Sequence, residues 1–103
     1  MQETWQFAVS PAQTATGRVL VVDDSATTRA KISKAVEALG YEAHTAADGE
    51  AALLKAAELE FDILLLDIMM PRLSGFDVIA RLKANPRLRH LPIVVISSLN
   101  DES

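Results

Sequence analysis

Four oxygen-bearing side chains, Asp23, Asp24, Asp67 and Ser97, stand at the ends of short apolar runs. Val19-Leu20-Val21-Val22 precedes the aspartate pair, Ile63-Leu64-Leu65-Leu66 precedes Asp67, and Ile93-Val94-Val95-Ile96 precedes Ser97. Carboxylates gathered at one place repel each other, and a cation relieves that repulsion. An all-oxygen ligand set with no nearby His or Cys selects a hard metal, and Mg2+ suits a site that keeps waters and shares ligands with phosphate. A carboxylate there can also act as a nucleophile toward phosphorus, giving an aspartyl phosphate. The metal then neutralises the equatorial oxygens while a hydroxyl such as that of Ser97 donates to one of them. One strand-end aspartate is commonly just a solvated turn residue. A pair and a third, each closing an apolar run, make that explanation a poor one.

The elements that would bring these residues together follow from the spacing of apolar residues. The run Val19 to Val22 is continuously apolar and β-branched, as in a strand buried on both faces. Ser25 can cap a helix whose apolar positions Ile32, Val36 and Leu39 fall at i, i+4 and i+7, and Gly40 stops it. Tyr41 to Thr45 alternates as a second strand. Asp48-Gly49 then turns into an Ala/Leu-rich helix from about Glu50 to Leu59. Ile63 to Leu66 is a third buried strand ending in Asp67. After the loop containing Pro71, Ser74 and Asp77 stand at capping-box spacing and open a helix through Leu82 to about Ala84, which Pro86 stops. Ile93 to Ile96 is a fourth strand. This βαβαβαβ order predicts a parallel sheet wrapped by helices on both faces, with right-handed crossovers. In such sheets the functional crevice lies at the carboxyl ends of the strands where the winding reverses, and that rule selects the same four residues.

Composition narrows the function classes. The 103 residues are 50% hydrophobic, enough for one domain with a core, and hold 10 basic against 14 acidic side chains, for a formal charge of −4. An acidic balance argues against a general grip on nucleic acid. The absence of cysteine excludes disulfide scaffolds, thiolate metal sites and cysteine nucleophiles. No apolar run approaches the ~20 residues of a membrane span, and the N-terminus lacks the pattern of a secretory signal. The expectation is a soluble, cytoplasmic domain. Residues 1–17, rich in Gln, Thr, Ala and Ser, read as an extension or linker, although Trp5 and Phe7 within it are costly to leave in water.

The segments VLVVDDSATTR, DILLLDIMMPRLSGFDVIARLK and LPIVVISS together resemble the receiver domain of bacterial response regulators in two-component signalling, from Val19 to about Ser98. The resemblance implies a flavodoxin-like (CheY-like) α/β fold, a doubly wound parallel sheet with strands in the order 2-1-3-4 and then a fifth. It makes Asp67 the phosphoacceptor, fed by a histidine kinase or a phosphotransfer protein. Asp24 matches the acid that ligates Mg2+ directly, and Asp23 the acid that helps hold it, often through water. Met69 would lend its backbone carbonyl to the metal. Ser97 matches the hydroxyl that swings toward the phosphoryl group, and Pro71 and Gly75 match the acceptor-loop turn. Receivers vary their dephosphorylation through the residues two beyond the acceptor and two beyond the switch hydroxyl. Here these are Met69 and Leu99, which cannot orient a water, so a long-lived phosphoryl group is expected.

The family also carries a fifth strand ending in a lysine, followed by a fifth helix. The lysines here, Lys31, Lys34, Lys55 and Lys83, all fall on predicted helices. Residues 18–103 therefore read as a receiver domain lacking its fifth βα unit, with an apolar, unpaired edge on the fourth strand. A longer parent protein, a second copy forming a homodimer over that edge, or Trp5 and Phe7 folding back would each cover it. The competing function is a receiver-like dimerisation or assembly module with an impaired or unused phosphorylation site. An aspartyl-phosphate hydrolase of the haloacid-dehalogenase type is disfavoured, because it wants a second aspartate where Met69 stands. Output domains or downstream proteins are the implied partners, with no direct nucleic acid and no membrane. His44 and His90 read as surface or packing residues, and Met69 and Met70 as loop packing.

Overall fold

The structure is a computed structural model and describes residues 17–96. Trp5, Phe7, Ser97, Ser98 and Leu99 lie outside the described residues. Strands β1 (Arg18–Val22), β2 (Glu42–Ala46), β3 (Ile63–Asp67) and β4 (Ile93–Ile96) alternate with helices α1 (Ala26–Ala38), α2 (Gly49–Glu58) and α3 (Gly75–Ala84). The strands pair in parallel in the order β2-β1-β3-β4, with Val22 opposite both Ala46 and Leu66, and Asp67 opposite Ile96. This is the expected flavodoxin-like arrangement over its first four strands.

Alternation along β1 and β3 divides the core between the two sheet faces. Leu20, Val22, Leu64 and Leu66 pack with Ala52 and Ala56 of α2 and with Val78 and Leu82 of α3. On the other face Val19 and Val21 pack with Val36 of α1, flanked by Ile32 and Leu65. Burial on both faces explains why these strands are continuously apolar rather than alternating. At β4, Val94 and Val95 point to opposite faces and each remains about half exposed (47% and 48%). Beyond β3, β4 has no further strand neighbour among the described residues.

Each helix starts on a capping side chain, Ser25 and Ser74 as expected and Asp48 in addition. Ser25 Oγ accepts from the Thr28 N–H at 3.2 Å, and Asp48 Oδ1 from the Ala51 N–H at 2.8 Å. Ser74 and Asp77 form the reciprocal capping box, Ser74 Oγ accepting from the Asp77 N–H and Asp77 Oδ2 from the Ser74 N–H. Two expectations need correction. Leu39 does not extend the apolar face of α1: it is the residue just past the helix and is 75% exposed. The chain leaves the helix there because Gly40 adopts φ +96°, a left-handed conformation that closes helices and favours glycine. The second strand begins at Glu42 rather than Tyr41, since the Glu42 N–H already joins the sheet by donating to Gly17 O.

Candidate functional site

The winding of the sheet reverses between β1 and β3: β2 lies on one side of β1, and β3 and β4 on the other. Asp23 and Asp24 leave the carboxyl end of β1, and Asp67 is the last residue of β3. The strand-end rule and the structure therefore select one place. One carboxylate oxygen from each of the three lies within 4.8 Å of the others, and they form the only such acidic, His or Cys group among the described residues. Asp23 and Asp67 are buried, at 3% and 1% exposure, whereas Asp24 is exposed. Octahedral Mg2+ with bonds of ~2.0–2.1 Å spreads its ligand oxygens over roughly 3–4 Å. A spacing of this size suits one ion held by these acids with water in the remaining positions. The donor set is all oxygen, as a hard cation requires.

Local hydrogen bonds place each carboxylate. The Asp23 N–H donates to Ala46 O at 3.2 Å, which prolongs the β1–β2 ladder to the site. Its Oδ1 accepts from the Ser25 N–H at 2.8 Å, and its main-chain oxygen accepts from Arg29 Nη1 at 2.8 Å. Asp67 Oδ1 accepts from the Met69 N–H at 3.1 Å, tying this carboxylate to the loop that follows it. Met69 itself projects outward, 71% exposed, so the expectation of loop packing holds for Met70 (8%) and not for Met69. Gly75, at the start of α3, comes against the same strand end. Its N–H donates to Ile68 O at 3.1 Å, and a Cβ there would lie 2.7 Å from both Asp67 O and Ile68 Cα.

Ser97 immediately follows the last described residue of β4, so its hydroxyl is outside what the structure describes. Two contributors escaped the sequence analysis. Arg29 is one; the signal available was a long cation one turn into a helix whose cap follows the aspartate pair. The other is Arg72 in the loop after β3, at φ +63°, whose Nη2 donates to Asp48 Oδ2 at 3.4 Å and ties that loop to the start of α2. Arginine has no preference for a left-handed conformation, so no residue type announced this turn. His44 packs edge-on against Phe61, with ring centroids 5.4 Å apart, and hydrogen bonds to Glu42. That bond, together with Arg18, holds the Glu42 carboxyl below the usual range. His44 is thus a packing residue, as its isolation suggested. A separate cleft of about 550 Å3 at the opposite end of the sheet, lined by Phe61, Asp62, Leu91 and Pro92 among others, is remote from the three aspartates.

The sequence profile of the response regulator receiver domain matches residues 19–103. The gliding motility regulatory protein of Myxococcus xanthus is 43% identical over 82 residues, 80% of this chain and 11% of that protein. The response regulator PleD of Caulobacter vibrioides is 45% identical over 83 residues, 81% of this chain and 18% of that protein. Among solved structures, the response regulator TrrA of Thermotoga maritima in complex with Mg2+-BeF superimposes with a TM-score of 0.76 at 32% identity. That match covers 82% of this chain and 72% of that one. The chain belongs to the response regulator receiver domain family, a family of signalling domains. It spans between about a tenth and a fifth of the length of the two curated relatives named. These likenesses favour the receiver reading over the assembly module.

Proposed function

We propose that this chain is a phosphoacceptor domain in which Asp67 takes a phosphoryl group from a phosphohistidine of a histidine kinase or phosphotransfer protein. The observation that carries this reading is the meeting of Asp23, Asp24 and Asp67 within 4.8 Å, with Asp67 almost fully buried at the end of β3. In the transfer, a carboxylate oxygen of Asp67 forms the new O–P bond as the N–P bond of the donor breaks, and the departing imidazole takes up a proton from water. Asp24, Asp23, Asp67 and the Met69 carbonyl would hold Mg2+, whose charge offsets that of the transferring phosphoryl oxygens. That TrrA was solved with Mg2+ and a beryllofluoride group supports this choice of ion. The Asp67–Met69 bond keeps the carboxylate in a fixed plane before the donor arrives, which reduces the ordering required during transfer. Ser97 is the residue we assign to hydrogen-bond the phosphoryl group once it is in place. The change is passed to an output domain or a second protein, and a kinase-fed donor places the exchange in the cytoplasm.

Intact mass after incubation with a small phosphodonor tests the reading. One phosphoryl adduct is expected with Mg2+, and none when the metal is chelated. An unmodified chain in both samples overturns it.

The lifetime of that adduct carries a further prediction. The Met69 side chain stands outward beside Asp67 and offers no strong hydrogen bond to an attacking water. Met69→Asn supplies a donor and an acceptor at that place and is expected to shorten the phosphorylated half-life several-fold. Decay followed by mass or by release of inorganic phosphate checks this, and an unchanged half-life removes Met69 as a determinant.

A further inference from the structure

Among the hydrogen bonds at the acidic site, the one from Arg29 has no obvious reason to exist. Arg29 sits four residues after the Ser25 cap, in the first turns of α1. A cation there opposes the helix dipole, whose positive end is the N-terminus. It also stands beside a place that must attract a dication. Its side chain nevertheless turns back along the helix, as the backward tilt of Cα–Cβ bonds allows. Nη1 donates to the main-chain oxygen of Asp23 at 2.8 Å, in a partly buried setting.

That oxygen belongs to the peptide plane linking Asp23 to Asp24. The Asp23 end of the corner is fixed twice more, by the bond from its N–H to Ala46 O and by the bond from the Ser25 N–H to its Oδ1. Asp24, in contrast, is exposed. Orientation of the Asp23–Asp24 peptide therefore governs where the Asp24 carboxylate starts from, and Arg29 holds that peptide from the helix side. We infer that Arg29 is a positioning residue for the metal-binding corner: its bond to Asp23 O directs Asp24 toward Asp23 and Asp67 and raises the affinity of the three acids for Mg2+. The inference rests on the reading of those acids as a Mg2+ site.

Charge and positioning predict opposite signs, which makes the inference testable. If the guanidinium acted only as a nearby charge, removing it would tighten Mg2+ binding, because like charges repel. If it holds the peptide, removing it weakens binding. The measurement is a Mg2+ titration of the full chain by amide resonances, with thermal melting in metal-free buffer, for wild type, Arg29→Met and Arg29→Lys. Methionine keeps the apolar stem and loses donor and charge; lysine keeps both.

The expected result is a dissociation constant raised about tenfold in Arg29→Met, the scale of losing an outer-shell partner, and largely restored in Arg29→Lys. If Arg29→Met does not give a folded spectrum, Arg29→Gln, which is too short to span the same gap, makes the same comparison. Equal or tighter binding in the charge-free variant overturns the inference while leaving the Mg2+ site intact. A lowered melting temperature with unchanged affinity overturns it as well, assigning Arg29 to helix stability alone. No binding by the wild type removes the site reading itself, and the inference with it.

Discussion

Asp67→Asn is expected to abolish the Mg2+-dependent phosphoryl adduct while leaving the fold in place. Asparagine matches aspartate in shape, and its Oδ1 can still accept from the Met69 N–H, the bond that orients the native side chain. What is lost is the anionic oxygen that attacks phosphorus, and an amide is no substitute. Loss of a nucleophile at a site that works as a unit commonly removes several powers of ten of rate, so the adduct should fall by at least about a hundredfold. The two neighbouring carboxylates do not compensate. Asp23 is held at three points, its N–H on Ala46 O, its Oδ1 by the Ser25 N–H and its main-chain oxygen by Arg29, and Asp24 is exposed to water, which solvates an attacking anion and would hydrolyse any acyl phosphate formed there. Intact mass of the two proteins, treated side by side, decides the matter. An adduct of equal yield in Asp67→Asn would move the acceptor to another aspartate, and peptide mapping would identify which.

That three aspartates meet at one corner was legible because buried parallel strands write themselves as apolar runs, and the residue after each run lies at the functional edge. β1 and β3 declared themselves in this way, and so did the caps Ser25 and Ser74, whose side chains satisfy N–H groups that lack an intrahelical partner; Asp48, read only as part of a turn, does the same for α2. The boundary of β2 was harder. Of its residues Glu-Ala-His-Thr-Ala only Ala46 is fully buried and none is strongly apolar, so the sequence pattern sets its boundary weakly. Leu39 misled for a related reason: it keeps the apolar spacing right up to the expected glycine stop, but the residue just before Gly40 has already left the helix and faces solvent. Arg29 and Arg72 act through main-chain oxygen and through an unusual backbone angle, neither of which residue type encodes. The contacts that hold the acids in place are thus the least visible part of the site, although the acids themselves are the most visible.

The close approach of α3 to the end of β3 sets the second large expectation. Gly75 is the first residue of α3, where alanine would ordinarily be preferred over glycine by a fraction of the ~1 kcal/mol seen in helix interiors. Here a Cβ would lie 2.7 Å from Asp67 O and Ile68 Cα, and 2.8 Å from Ile68 Cδ1. The first two are main-chain atoms of Asp67, the last residue of β3, and of Ile68 just beyond it, so relief of the clash requires either the helix or the strand end to move. Overpacking of this kind costs about 1–3 kcal/mol, more than the propensity gain returns. For a domain of this size the net loss corresponds to a melting temperature lower by roughly 5–15 °C. Because the displaced peptide joins Asp67 to Ile68, the Asp67–Met69 bond should be disturbed with it, and phosphorylation by a small donor should slow in the protein that remains folded. Thermal melting and adduct formation measured on Gly75→Ala test the two parts separately. A stable variant with slowed phosphorylation would mean that the strand end yields; a destabilised variant that is phosphorylated normally when cold would mean that the helix yields instead. Wild-type behaviour in both would show that α3 has slack against β3, and the tight packing of the loop after β3 would then no longer account for how Asp67 is held.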